Sequence, residues 1–146
     1  MCDVCLTSGA AGFPERLRTI PDAPRALWIR GRPDALPVPG HPALAIVGSR
    51  TATRDGLDLA RHLAFGLAGA GVTVVSGLAR GIDGAAHRAT LDAGGRTVAV
   101  LGSRLSRLYP REHAGLAADI AQQGAVVSEC PPDTAPHAGL FPRRTA

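Results

Sequence analysis

Six consecutive residues, Ser76-Gly77-Leu78-Ala79-Arg80-Gly81, bring together a hydroxyl, two glycines and a guanidinium. They follow a β-branched run, Val72-Thr73-Val74-Val75, and lead into an Ala-rich helical stretch from about Asp83. A strand, a glycine turn and a helix start suit one chemistry above others, the holding of an anion. Glycine lets the backbone approach a ligand, and the first helical N–H groups lack intrahelical acceptors. A plain β–α turn in a parallel sheet also carries glycine, so the turn alone leaves both readings open.

Acid–base chemistry has fewer candidates. Asp83 and His87 stand i, i+4 and share a helix face. Asp83 suits the first turn of that helix, where a carboxylate satisfies orphan N–H groups, and His87 then reads as a packed neighbour. Ser128-Glu129 closes the last strand as either a structural pair or part of a site. A dinucleotide fingerprint is absent, because the first strand is followed by Gly48-Ser49-Arg50-Thr51-Ala52-Thr53 rather than G-x-G-x-x-G. A phosphate-binding Gly-Lys-Ser/Thr loop is absent too, as the chain has no Lys. No cofactor is expected. Cys2-x-x-Cys5 lacks a second ligand pair, with Cys130 distant in sequence, so no metal site is expected either.

The elements that would position these residues follow from periodicity. Ala43 to Val47 reads as a buried strand and about Asp55 to Ala70 as a helix with Leu57, Ala60, Ala64 and Leu67 on its apolar face, stopped by Gly69 and Gly71. Val72 to Val75 is a second strand, and the helix after it ends at Gly94-Gly95. Thr97 to Leu101 is a third strand, about Glu112 to Gln122 a helix with Leu116 and Ile120 inward, and Ala125 to Ser128 a fourth strand. From Pro131 to Ala146 the chain reads as turn-rich. The alternation predicts an α/β fold, a parallel sheet with helices on both faces. Upstream, residues 1–42 form a Pro-rich lead-in. Met1 to Gly12 shows no periodicity and reads as irregular, while Phe13, Leu17, Ile20 and Trp28 are expected to pack on the main body, residues 43–146.

In a parallel sheet the loops after the strands open on one edge. Arg50 and Arg54 follow the first strand, Arg80 the second, and Arg104, Arg107 and Arg111 the third. Connectivity therefore gathers six arginines on one edge, although Arg61, Arg88 and Arg96 lie elsewhere. All 16 basic residues are Arg and the net charge is +4. Arginine's planar donor fork fits phosphate, so a polyanionic partner is expected. The 146 residues suit one domain, and 45% apolar content with 3% aromatic predicts a core of Ala, Val, Leu and Ile. No signal peptide or apolar run long enough to span a membrane is present, and a cytoplasmic location is expected.

Several motifs together resemble the DNA-processing protein A (DprA, or Smf) family. They are Ile46-Val47-Gly48-Ser49-Arg50, Val75 through Asp83, Ala86-His87, Gly95 through Gly102, Tyr109-Pro110, Ser128-Glu129 and Phe141-Pro142-Arg143-Arg144. The lead-in Phe13-Pro14, Leu17, Ile20 through Pro24, Leu27 and Gly31 resembles the family as well. The resemblance implies a Rossmann-like domain that binds single-stranded DNA, dimerises and loads the RecA recombinase in natural transformation, without being an enzyme. By motif position it implies DNA or phosphate contacts at Gly48, Ser49, Arg50, Ser76, Gly77, Arg80, Gly81 and Arg111, the last where relatives usually carry Lys. Thr145 stands where relatives have Asn, and Ala146 falls where they continue. The implied sheet is incomplete, and a fragment or frameshifted product is expected in which dimerisation and RecA loading are affected more than phosphate contacts. The alternatives are a nucleotide-binding or nucleoside-monophosphate-hydrolysing enzyme of similar fold, whose Pro-Gly-Gly-x-Gly-Thr-x-x-Glu run is absent, and a non-functional fragment.

Overall fold

A computed structural model describes residues 3–131. The Phe141–Arg144 motif, Thr145 and most of the turn-rich tail lie outside the described residues. The strands are β1 (Val4–Thr7), β2 (Ala26–Gly31), β3 (Ala43–Ala45), β4 (Thr73–Ser76), β5 (Thr97–Leu101) and β6 (Ala125–Ser128). The helices are α1 (Glu15–Arg18), α2 (Arg54–Gly69), α3 (Ile82–Asp92) and α4 (Ala114–Gln123). Short 3₁₀ turns occupy Pro33–Ala35 and Arg111–His113.

All six strands form one sheet in the order β1-β2-β6-β5-β4-β3. The last four in sequence are mutually parallel, while β2 is antiparallel to β6 and β1 to β2. The α/β, Rossmann-like expectation holds for the parallel part. The steps from β3 to β4 to β5 to β6 all run the same way across the sheet, and right-handed crossovers then put α2, α3 and α4 on one face.

Side chains alternate between the faces with period two. Val74 meets Ala64, Ala86 and Ala89 of α2 and α3. Ala99, Leu101 and Val126 meet Leu116, Ala117 and Ile120 of α4. The opposite face, with Val98, Ala125, Val127, Leu27 and Ile29, is covered by Phe13, Ala35 and Leu36, with Leu17 alongside. Helical segments thus cover both faces unequally: three long helices on one, α1 and the Pro33–Ala35 turn on the other. The thinner cover leaves an apolar groove of about 360 Å³ between the lead-in and the sheet, bordered by Leu17, Ile20, Val47, Val75, Val100 and Glu129.

The lead-in is the main difference from the sequence reading. It does pack through Phe13 and Leu17, but it also supplies two strands to the sheet. Met1 to Gly12, read as irregular, contains β1. That strand exposes three of its four residues, so no alternation marks it; its pairing with β2 and a two-toothed Arg30–Asp3 ion pair at 2.8 and 2.9 Å hold it. Leu27-Trp28-Ile29 lies inside β2, with Trp28 turned to the helix-side core.

Helix limits follow local chemistry. The Thr53 hydroxyl accepts from Gly56 N–H at 3.1 Å and starts α2. Ala60 and Ala64 are buried and Leu57 and Leu67 half-buried, as the periodicity predicts. Gly71, at φ +80°, turns the chain out of α2. α3 is nearly enclosed, with eight of its eleven residues buried. The last helix begins one 3₁₀ turn later than its pattern suggests.

Candidate functional site

The loops after β3, β4, β5 and β6 share the edge at the carboxyl ends of the parallel strands. The first carries Gly48, Ser49 and Arg50, all exposed. Within it the Ser49 hydroxyl accepts from Thr51 N–H at 3.1 Å. Gly48 is needed for contact, since a Cβ there would stand 2.7 Å from Ile82 Cγ1.

The second turn is built differently. The Ser76 hydroxyl is buried and donates to the Ile46 carbonyl at 2.5 Å. Gly77 N–H donates to Asp83 Oδ2 at 3.0 Å, and Leu78 N–H to His87 Nε2 at 3.3 Å. His113 Nδ1 donates to the Leu78 carbonyl at 2.8 Å. Leu78 is fully buried with φ +60°, a left-handed conformation that strains a residue bearing a side chain. Gly81, at φ +77°, lies so close to the Ser49 carbonyl and Arg50 backbone that no Cβ would fit. Ile82 N–H donates to that same Ser49 carbonyl at 3.2 Å, tying the two turns together.

These bonds correct two expectations. Ser76 was expected to offer its hydroxyl to phosphate, but the hydroxyl is engaged with β3's continuation inside the protein. The first N–H groups of α3 were expected to stand open. Instead Ile82 N–H is taken by the Ser49 carbonyl of the first loop at 3.2 Å and Gly84 N–H by the Ala79 carbonyl of the preceding turn at 3.1 Å, before the first ordinary helical bond from Ala85 to Gly81. Gly77 likewise directs its N–H to Asp83. Four backbone donors, at Gly77, Leu78, Ile82 and Gly84, are therefore engaged within the protein, and the exposed side chains carry the charge.

Arg80 and Arg111 are exposed, as is Arg107 on the longer third loop, while Arg104 is half-buried. Arg80 forms an ion pair with Glu112 and lies over the Tyr109 ring, 5.7 Å from its centroid. The hydrogen bond to Glu112 raises the Arg80 pKa and lowers that of Glu112. Tyr109 is 49% exposed and precedes a cis peptide to Pro110. Ser128 is structural, donating to the Ser103 carbonyl at 2.6 Å and accepting from Cys130 N–H at 3.0 Å. Glu129 borders the apolar groove.

The Asp83–His87 spacing visible in the sequence proves to support the turn. His87 is wholly buried. Burial, reinforced by His113 nearby, lowers its pKa to about 3 and holds it neutral. Since Nε2 accepts from Leu78, the ring hydrogen sits on Nδ1 and points at Thr97 Oγ1, 2.7 Å away, which donates in turn to the Val74 carbonyl at 2.8 Å. Sequence reasoning missed His113 and Glu112, which become neighbours of the second turn only when the third loop folds back. Cys5 is exposed and Cys130 buried, and the described residues hold no cluster of three or more metal-ligating side chains. Among the described residues no helix is long and apolar enough to cross a membrane.

Comparison with known proteins sets this edge in context. A family model described as DNA recombination-mediator protein A matches residues 4–146. Protein Smf of Escherichia coli (strain K12) is 47% identical over 134 residues, covering 90% of this chain and 35% of its own length. The DNA processing protein DprA of Bacillus subtilis is 37% identical over 132 residues, covering 90% and 44%. The X-ray structure of DprA from Streptococcus pneumoniae superposes with a TM-score of 0.88 at 36% identity, covering 97% of this chain and 48% of that one. A DprA structure from Helicobacter pylori, described as giving insight into single-stranded DNA binding, superposes at 0.85 with 28% identity, covering 97% and 62%. The chain thus spans a little over a third of the first of these relatives.

Proposed function

Because this chain belongs to the DNA recombination-mediator protein A family, we propose that its arginine-bearing edge holds single-stranded DNA by the phosphates. The observation that carries the proposal is the placement of Arg50, Arg80 and Arg111, all exposed, on three strand-end loops that are bonded to one another. The work asked of the site is electrostatic capture, with no bond made or broken. Guanidinium groups neutralise successive phosphates and release their counterions. Gly48 and Gly81 let the turns pack closely enough to bring Arg50 and Arg80 onto one surface. Among the described residues Tyr109 is the exposed aromatic ring at this edge, which supports backbone-dominated binding with weak sequence preference.

The whole-protein roles implied by the family extend this reading: protection of incoming DNA in natural transformation, delivery to RecA and homodimerisation. The edge described here supplies the strand-holding surface for them. The nucleotide-hydrolase alternative is not favoured, because Asp83 and His87 are buried with acceptor atoms engaged by the turn's own N–H groups.

Fluorescence anisotropy of a labelled single-stranded oligonucleotide, repeated over a salt series with a duplex control, tests the proposal. Binding should prefer the single strand and weaken with salt at a log–log slope of about −0.7 per phosphate contacted. Arg50→Ala/Arg111→Ala should lose most of the affinity while staying folded. Retained affinity with an unchanged slope in that variant removes the site assignment, and release of free base from a nucleoside monophosphate would support the hydrolase instead.

A further inference from the structure

The second turn carries more internal anchoring than a loop connection requires. Leu78 is held in the left-handed region by bonds at both ends of its own residue: its N–H goes to His87 Nε2 and its carbonyl to His113 Nδ1. Asp83 fixes the preceding N–H at Gly77. The His87 bond is the first link in a chain that runs on through Thr97 Oγ1 to the Val74 carbonyl, so the turn is anchored to β4 and β5 inside the sheet. His113 comes from the segment that also carries Arg111 and Glu112, and its ring lies against α3 where there is no side chain in the way. A Cβ on Gly84 would stand 2.9 Å from His113 Cε1. The second and third loops are therefore joined both by a hidden contact (His113 to Leu78) and by exposed ones (Arg80 to Glu112 and over the Tyr109 ring).

We infer that Asp83, His87 and His113 are positioning residues that clamp the Gly77–Leu78 segment and so fix where Arg80 and Arg111 stand relative to each other. The inference rests on the proposal that this edge binds single-stranded DNA. A residue in the left-handed region relaxes to an ordinary conformation once its bonds are lost, because the strain is sustained only by the surroundings. Arg80 lies two residues beyond Leu78 and Arg111 two residues before His113, so release of the clamp loosens both cations together. A flexible pair of cations can reach the same phosphates but must be ordered on binding, which weakens affinity without changing the number of phosphates met.

The clamp has a signature independent of DNA. Its polarity requires His87 in the Nδ1–H tautomer, since Nε2 must accept. Imidazole nitrogen NMR on the wild-type chain should show that tautomer, neutral down to pH 5, with a slowly exchanging Leu78 amide. An Nε2–H tautomer or a freely exchanging Leu78 amide overturns the inference. For the functional part, His113→Ala should bind single-stranded DNA about five- to tenfold more weakly with an unchanged salt slope, from loss of one hydrogen bond and its ordering. His113→Asn, whose amide nitrogen stands near the Nδ1 position, should recover most of that loss. Affinities are to be compared where circular dichroism shows each variant folded. A folded His113→Ala with wild-type affinity refutes the positioning role, as does an affinity loss that Asn fails to repair. Failure of the wild-type chain to bind DNA refutes the binding proposal instead, and the tautomer and amide exchange then decide the clamp alone.

Discussion

The turn after β3 and the turn after β4 look alike in sequence, Gly48-Ser49-Arg50 beside Ser76 to Gly81. Each has glycine, serine and arginine at the end of a parallel strand. In the folded chain they are opposites. The first is exposed throughout and shaped by a hydroxyl bond to Thr51. The second buries its serine, two backbone N–H groups and a strained leucine, and exposes mainly Arg80. One is a surface and the other a support on which a single cation is mounted. The origin of the difference is position: β4 lies inside the sheet with α3 packed directly behind it, whereas β3 is at the edge. Polar groups in the enclosed turn must find protein partners, because an unsatisfied buried donor is costly.

If the second turn is a support, glycine substitutions should separate the two by stability. Gly81→Ala combines a positive φ with a backbone collision at Ser49 and should cost about 3 kcal/mol. Gly48→Ala has no positive φ to strain but meets the branched Ile82 side chain, its Cβ at 2.9 Å included, and should cost about 2 kcal/mol. Urea unfolding midpoints measure both, and equal losses would erase the distinction.

The next largest effect comes from His87, which only the second turn uses. Its folded pKa, about 3, lies below the unfolded value of 6.5. The unfolded chain therefore takes up a proton that the folded chain refuses, so stability is full above pH 6.5 and declines as pH falls from 6.5 toward 3. At pH 5 the deficit is about 2 kcal/mol. Asp83 and His113 bond to the same turn, at Gly77 and Leu78. His87→Gln, which keeps an acceptor for Leu78, should flatten the dependence between pH 7.5 and 5. A wild-type chain equally stable at both values would contradict a buried neutral histidine.

The smallest effect concerns binding by the exposed cations. Arg80 is already paired with Glu112, so part of its charge is answered before DNA arrives. Arg80→Ala should therefore weaken single-strand binding only modestly, and Glu112→Gln should tighten it by about two- to threefold. Affinities of the two variants measured at low salt check both effects. Tightening by Glu112→Gln that persisted in an Arg80→Ala background would show that the glutamate acts elsewhere.

Much of this architecture is written locally. Thr97–Leu101 and Ala125–Ser128 fall where the apolar runs predict, and α2 buries the Ala60 and Ala64 stripe that its spacing sets out. Those signals work because side-chain period and turn chemistry act within a few residues. The lead-in strands were less legible. β1 has almost no buried side, and β2's short run is framed by Pro24 and Pro33, so only long-range pairing makes them strands.

The candidate site divides in the same way. Connectivity alone brought Arg50, Arg80 and Arg111 to one edge, since every loop after a parallel strand opens there. The Asp83–His87 pair was visible too, because i, i+4 spacing on a helix is local. Their task was not. The hydroxyl of Ser76, the Ile82 and Gly84 N–H groups at the start of α3 and the ring of His87 were available on paper, and packing assigned each an internal partner. His113 and Glu112 reach the second turn from over thirty residues away. The sequence by itself therefore determined the alternation of strands and helices and the edge where charge collects, both consequences of short-range pattern and chain direction. Only the tertiary structure decided which polar groups face outward, because that depends on what stands behind each turn once the layers are packed.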